Sequence, residues 1–137
     1  MNPTIRNILA VVAGCVAGGV VNMEIIMQSS SIVPPPHGAD LTTTEGLKAA
    51  MHLMTPIHFL MPFLAHSLGT LAGAYLTGLV AVGYKMRLAL LVGVVSLVGG
   101  ISAVVMLPSP LWFTVTDLCL AYLPMAWLGG YLAIKTE

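Results

Sequence analysis

The sequence predicts an all-α integral membrane protein: a bundle of four transmembrane helices, with a short amphipathic helix on the outer surface between helices 1 and 2. Three observations predict it. Only 7% of the 137 residues are charged, against roughly 25% in soluble domains, so the chain lacks the polar surface that water requires. Hydrophobic residues make up 58%, and the mean hydropathy is +0.96. Finally, the apolar residues fall into four runs long enough to cross a bilayer, which takes about 20 residues each. The length suits one small bundle in a single domain, 1–137. Four spans cannot close a β-barrel, and lipid demands that backbone groups be bonded internally, so the spans are helices.

The first run covers about 5–32. Residues 12–15 read V-A-G-C, the form of a lipoprotein cleavage box, but the chain stays apolar through Met27. The expectation is therefore a retained spanning helix. Its stripe Ala10, Gly14, Gly18, Asn22 repeats every four residues, a pattern that lets helix backbones approach closely in lipid.

A loop of about 33–55 follows. VPPPHGAD is stiff and extended, as a proline run must be. In TTTEGLKAAMHLM, Thr42 is the expected cap with Glu45 three positions on. Leu47, Ala50, Met51 and Met54 share one apolar face, suited to the membrane surface or to the mouth of the bundle.

The second run covers about 56–83. Thr55-Pro56 marks its start. Pro62 is expected to bend it and to free the carbonyl of His58. Its packing stripe is Ala65, Gly69, Gly73, Thr77. The third run, about 87–107, follows a tight turn bearing Lys85 and Arg87. The fourth, about 110–134, follows Pro108-Ser109-Pro110, where Ser109 is the expected cap. Trp112 and Trp127 suit the two interfacial belts. VAGGVV at 16–21 resembles LVGGIS at 97–102, and LA followed by G-x-Y-L recurs at 64–76 and 120–132. The matches suggest two related hairpins, though such short apolar matches also arise by chance.

Charge sets the expected orientation. Arg6, Lys85, Arg87 and Lys135 fall on one side of four alternating helices, and Lys48 alone on the other. The positive-inside rule puts both termini in the cytoplasm of a bacterial inner membrane. Five basic and five acidic residues cancel, which leaves no basic patch for nucleic acid.

Ionisable groups inside spans are costly and are functional candidates by default. Glu24, His58, His66 and Asp117 all fall in the outer half, with Asn22 and Gln28 beside Glu24. These six are the expected polar pocket, for a proton, a cation or another ligand. Each also has a structural reading: a bonded carboxylate at Glu24, an interfacial acid at Asp117, a solvated ring at His58, a satisfied buried histidine at His66. His58, His66, Glu24 and Asp117 are also the candidate ligands for a divalent metal. Met51, Met54 and Met61 are soft ligands suited to Cu(I), but no repeated motif gathers them, and methionine is a common gap-filler. Cys15 and Cys119 form no CxxC and read as small buried hydrophobes. No cofactor is required by the sequence.

Three functions compete. The first is a component of proton- or cation-linked transport or of a channel, oligomeric because four short spans are too few for a complete machine. The second is an accessory or assembly subunit of a larger membrane complex. The third is an enzyme at the outer leaflet, which neither HExxH nor GxSxG supports. Lipid, a second copy or other membrane subunits are the expected partners.

Overall fold

The computed structural model describes residues 1–136, and those residues form helices and turns with no strand. Four helical segments are long and apolar enough to cross a membrane: Pro3–Ile32, Pro56–Val80, Lys85–Met106 and Leu111–Lys135.

Helix α1 (Pro3–Ile32) starts where Asn2 accepts a 2.8 Å hydrogen bond from the Thr4 amide, with Pro3 at the first helical position. It buries only Ala10, Gly14 and Gly18. Ile8, Val12, Val16, Val20, Met23 and Met27 are exposed, so most of its circumference is apolar surface suited to lipid.

The segment between the first two spans departs from expectation by one residue. Thr43 caps α2 (Thr44–Ala50), accepting from the Gly46 amide at 3.0 Å. Thr42 instead closes a turn on Asp40, through its amide (2.9 Å) and its hydroxyl (2.6 Å). Both bonds favour the carboxylate and hold the Asp40 carboxyl below its ordinary range. After Ala50 the helix tightens to a 3-10 turn, Met51–Leu53. Leu47 and Met54 face the ends of the first two spans that this loop joins, where they line a cavity of about 270 Å³ with Ile26, Ser29, Met61 and His58. The apolar face thus lies over the end of the bundle.

The second span opens as a 3-10 turn, Pro56–Phe59, and continues as α3 (Leu60–Val80). Pro62 consequently falls in the first turn of α3, where a missing N–H costs little. A tight turn with Gly83 and Tyr84 at positive φ (67° and 50°) leads to α4 (Lys85–Met106). Asn7 grips this turn from α1: its side chain accepts from the Val82 amide (2.8 Å) and donates to the Val82 carbonyl (3.1 Å). Arg6 donates to the Val80 carbonyl at 2.8 Å. Arg6, Lys85 and Arg87 therefore share one end of the bundle.

The fourth span is not one helix. It is α5 (Leu111–Leu120) and α6 (Leu123–Lys135), separated at Ala121-Tyr122. Pro124 explains the break, since it lacks the N–H that a continuous helix would use and it sits well in the first turn of a new one. At the start of α5 Pro110, not Ser109, holds the cap position. The Ser109 hydroxyl pairs with that of Thr114 at 2.8 Å.

Helix α3 is central, packed on α1, α4 and α6. Its seam with α1 is backbone against backbone. A Cβ at Gly14 would stand 2.5 Å from the Gly73 carbonyl oxygen, and one at Gly73 2.5 Å from that of Gly14. Gly18 and Gly69 repeat the relation one turn on, at 2.7 and 2.8 Å. Ala65 is fully buried on the same stripe. The Thr77 hydroxyl sits between the Ala10 carbonyl (3.1 Å) and the Gly73 carbonyl (2.9 Å). Helix α6 brings Gly129 against α3 and Gly130 against Ala89 of α4.

Candidate functional site

Helix α4 meets α1 along a much shorter line than α3 does. The gap is a cleft of about 300 Å³. Its walls are Cys15, Gly18, Gly19 and Asn22 of α1 and Val95, Ser96, Gly99, Gly100 and Ala103 of α4. Its floor is His66, Gly69 and Thr70 of α3, with Tyr122. The two Gly-Gly pairs that resemble each other in sequence, 18–19 and 99–100, therefore flank one cavity.

The chemistry lies on the floor. His66 Nδ1 stands 2.8 Å from Asp117 Oδ1. One proton lies on that line, carried by the imidazole or by the carboxyl. The Tyr122 hydroxyl donates to the other oxygen, Oδ2, at 3.0 Å. Both carboxyl oxygens are thus engaged, and Asp117 is only 2% exposed. The His66 side chain keeps 25% of its surface and stacks beside the Tyr122 ring at 5.8 Å.

The break in the fourth span makes this arrangement possible. In a continuous helix, residues five apart point about 140° away from each other. Interrupting the helix at Ala121-Tyr122 lets Tyr122 turn back onto Asp117. Gly100 supplies the room, because a Cβ there would collide with the Tyr122 ring.

No family model, no curated protein and no solved structure matches this chain.

The six expected pocket residues divide. His66 and Asp117 meet, and Asn22 lines the same cleft. The Asn22 Oδ1 atom is buried without a hydrogen-bond partner. Glu24 is exposed and does not line the cleft. At 100° per residue it points about 160° away from Asn22. Gln28 is likewise exposed, on the Glu24 side. His58 lies in the 3-10 turn that opens the second span. Its Nδ1 accepts from the Thr55 amide at 3.0 Å, which leaves Nε2–H to donate to the Pro34 carbonyl at 3.2 Å. This pins the proline run to the start of the second span. His37 and His52 are exposed.

The metal expectation is corrected. Among the described residues, no three His, Cys, Asp or Glu side chains gather where they could hold an ion. Glu24 and His58 lie on other parts of the molecule from the His66–Asp117 pair, so the four candidates do not converge.

Tyr122 was missed by sequence reasoning. The available signal was Pro124 two residues on, which marks a helix start and so a residue free to turn back.

Proposed function

We propose that the chain is a multi-pass protein of a bacterial inner membrane, with both termini in the cytoplasm, and that the cleft serves proton-linked transport. One observation carries the reading: a buried carboxyl group shares a hydrogen bond with a histidine from another helix, and that histidine borders an intramembrane cleft. Such a pair passes a proton between two atoms with little movement, and proton relays are a common use of acid and histidine inside membranes. The basic end formed by Arg6, Lys85 and Arg87 supports the orientation. A reporter fused to the C-terminus should behave as cytoplasmic.

The test is proton flux into liposomes that carry the purified protein and an internal pH dye. His66→Ala and Asp117→Asn should each lower the flux at least about tenfold, the ordinary scale for removing one positioned proton carrier. Equal flux in folded variants would sink the reading.

A second reading, an accessory subunit or homo-oligomer, has Glu24 behind it. An exposed carboxylate among Val20, Met23 and Met27 is costly against lipid, and another membrane helix over that flank would relieve the cost. Crosslinking through Met23→Cys in native membranes should then give a discrete adduct.

A further inference from the structure

We infer that the cleft between α1 and α4 binds the hydroxyl head of a membrane-dissolved aromatic alcohol, which enters sideways from the lipid. This names the cargo class for the cleft described above, and it rests on the transport reading.

Four observations converge. The first is the unpartnered Asn22 Oδ1. A buried acceptor without a donor is costly, and a ligand that brings an O–H would satisfy it. The second is His66. With the shared proton on Nδ1 toward the carboxylate, Nε2 makes no hydrogen bond to another described residue and presents a lone pair beside the cleft. These two acceptors call for an O–H, and the Thr70 and Ser96 hydroxyls on the same lining can donate back to its oxygen.

The third observation is charge. No lysine or arginine lines the cleft, so an anion finds no counter-charge. Asp117 already has both oxygens engaged, so a cation finds no free carboxylate. A neutral hydroxyl fits what is left.

The fourth is shape. Gly19 and Gly99 present no side chain, and a Cβ at either would meet nothing within 4 Å. Between two glycine-lined walls the space is a slot that a flat ring can fill, beside the stacked rings of His66 and Tyr122. The rim residues Val16, Val20, Val95 and Val98 are exposed and apolar. A molecule already dissolved in lipid passes them without losing water.

The test uses the full chain in lipid nanodiscs with labelled histidine and asparagine side chains, titrated with 4-butylphenol. The control is 4-butyltoluene, which has the same shape and no O–H. The phenol should shift the His66 and Asn22 signals saturably, and the toluene should bind about tenfold more weakly, the scale of one buried hydrogen bond. Asn22→Leu should weaken the phenol about tenfold and leave the toluene unchanged. Gly99→Leu should abolish binding of both by filling the slot, with an unchanged unfolding midpoint. Equal binding of the two probes, an unaffected Asn22→Leu variant or no saturation at all would overturn the inference. Proton flux that depends on His66 without phenol binding would overturn the cargo and leave the transport reading standing. Phenol binding with flux indifferent to His66→Ala would overturn transport, and with it the cargo role.

Discussion

The α1–α3 seam and the α1–α4 cleft are both lined by glycine, yet one is closed and the other open. Gly18 and Gly19 are neighbours in sequence and both border the cleft, but only Gly18 also lies in the seam. Gly18 faces the Gly69 carbonyl at contact distance, whereas Gly19 faces empty space. Absence of a side chain permits close approach but does not cause it. The seam closes because α3 presents Gly69, Gly73 and Thr77 in register with Gly14 and Gly18. The cleft stays open because α4 is held off at that level. The notch at Gly100 is already filled by the Tyr122 ring, which acts as a wedge.

Removing the wedge should have the largest effect. Tyr122→Ala deletes a nearly buried ring and a donor to Asp117, and should cost about 3–5 kcal/mol, as for other large-to-small core changes. Tyr122→Phe keeps the ring and loses only the hydroxyl bond, and should cost about 1–3 kcal/mol. Thermal unfolding in detergent reads both. A Tyr122→Ala variant as stable as Tyr122→Phe would deny the ring its role.

Next comes the contrast between the glycines. Gly73→Leu drives a side chain against the Gly14 backbone and should cost about 3 kcal/mol, the upper end for overpacking. Gly19→Leu points into space and should stay within about 0.5 kcal/mol of the parent. Equal losses would erase the distinction between seam and cleft.

A smaller change sharpens what holds the seam. Thr77→Val keeps the shape and removes two shared bonds. The expected cost is about 0.6 kcal/mol, typical of interhelical hydrogen bonds in lipid. A loss several times larger would make the seam depend on that hydroxyl rather than on backbone contact.

The smallest effect lies outside both regions. Bonds from Thr42 lower the folded-state value of the Asp40 carboxyl. Their contribution is present above the ordinary carboxylate range of about 3.9 and is lost as pH falls through the lowered value. The Thr42 amide should exchange faster at about pH 2, once corrected for intrinsic exchange, and Asp40→Ala should remove that dependence.

Much of the fold was legible because length and hydropathy are blunt signals that chance rarely imitates over 20 residues. The seam residues were legible from four-residue spacing alone. Depth was also readable: residue counts put Glu24, His66 and Asp117 in the same half of the spans. Depth does not give azimuth, however. Glu24 shares a level with His66 and points away from it, which the 100° step from Asn22 shows once the packed face is known. The caps slipped by one residue where the sequence offers equivalent candidates, as in Thr42-Thr43-Thr44. The His66–Asp117–Tyr122 group was only partly legible, because Tyr122 reaches Asp117 only if the span is broken. In sequence, 110–134 reads as one continuous span, whereas Pro124 starts a second helix within it.

The bond from Tyr122 to Asp117 bears on how the fourth apolar helix would enter a bilayer. Both residues belong to the fourth span, so the donor travels with the acid. A carboxylate at the centre of a span costs about 2.5–3.5 kcal/mol to insert, and Asp117, near the start of Leu111–Lys135, lies toward the shallower depths where the cost is lower. Here the interrupted helix holds the Tyr122 hydroxyl on the Asp117 carboxyl from within the same span. In the membrane reading proposed above, the last span would enter the bilayer with one oxygen of its acid already bonded, and His66 would bond the other on assembly.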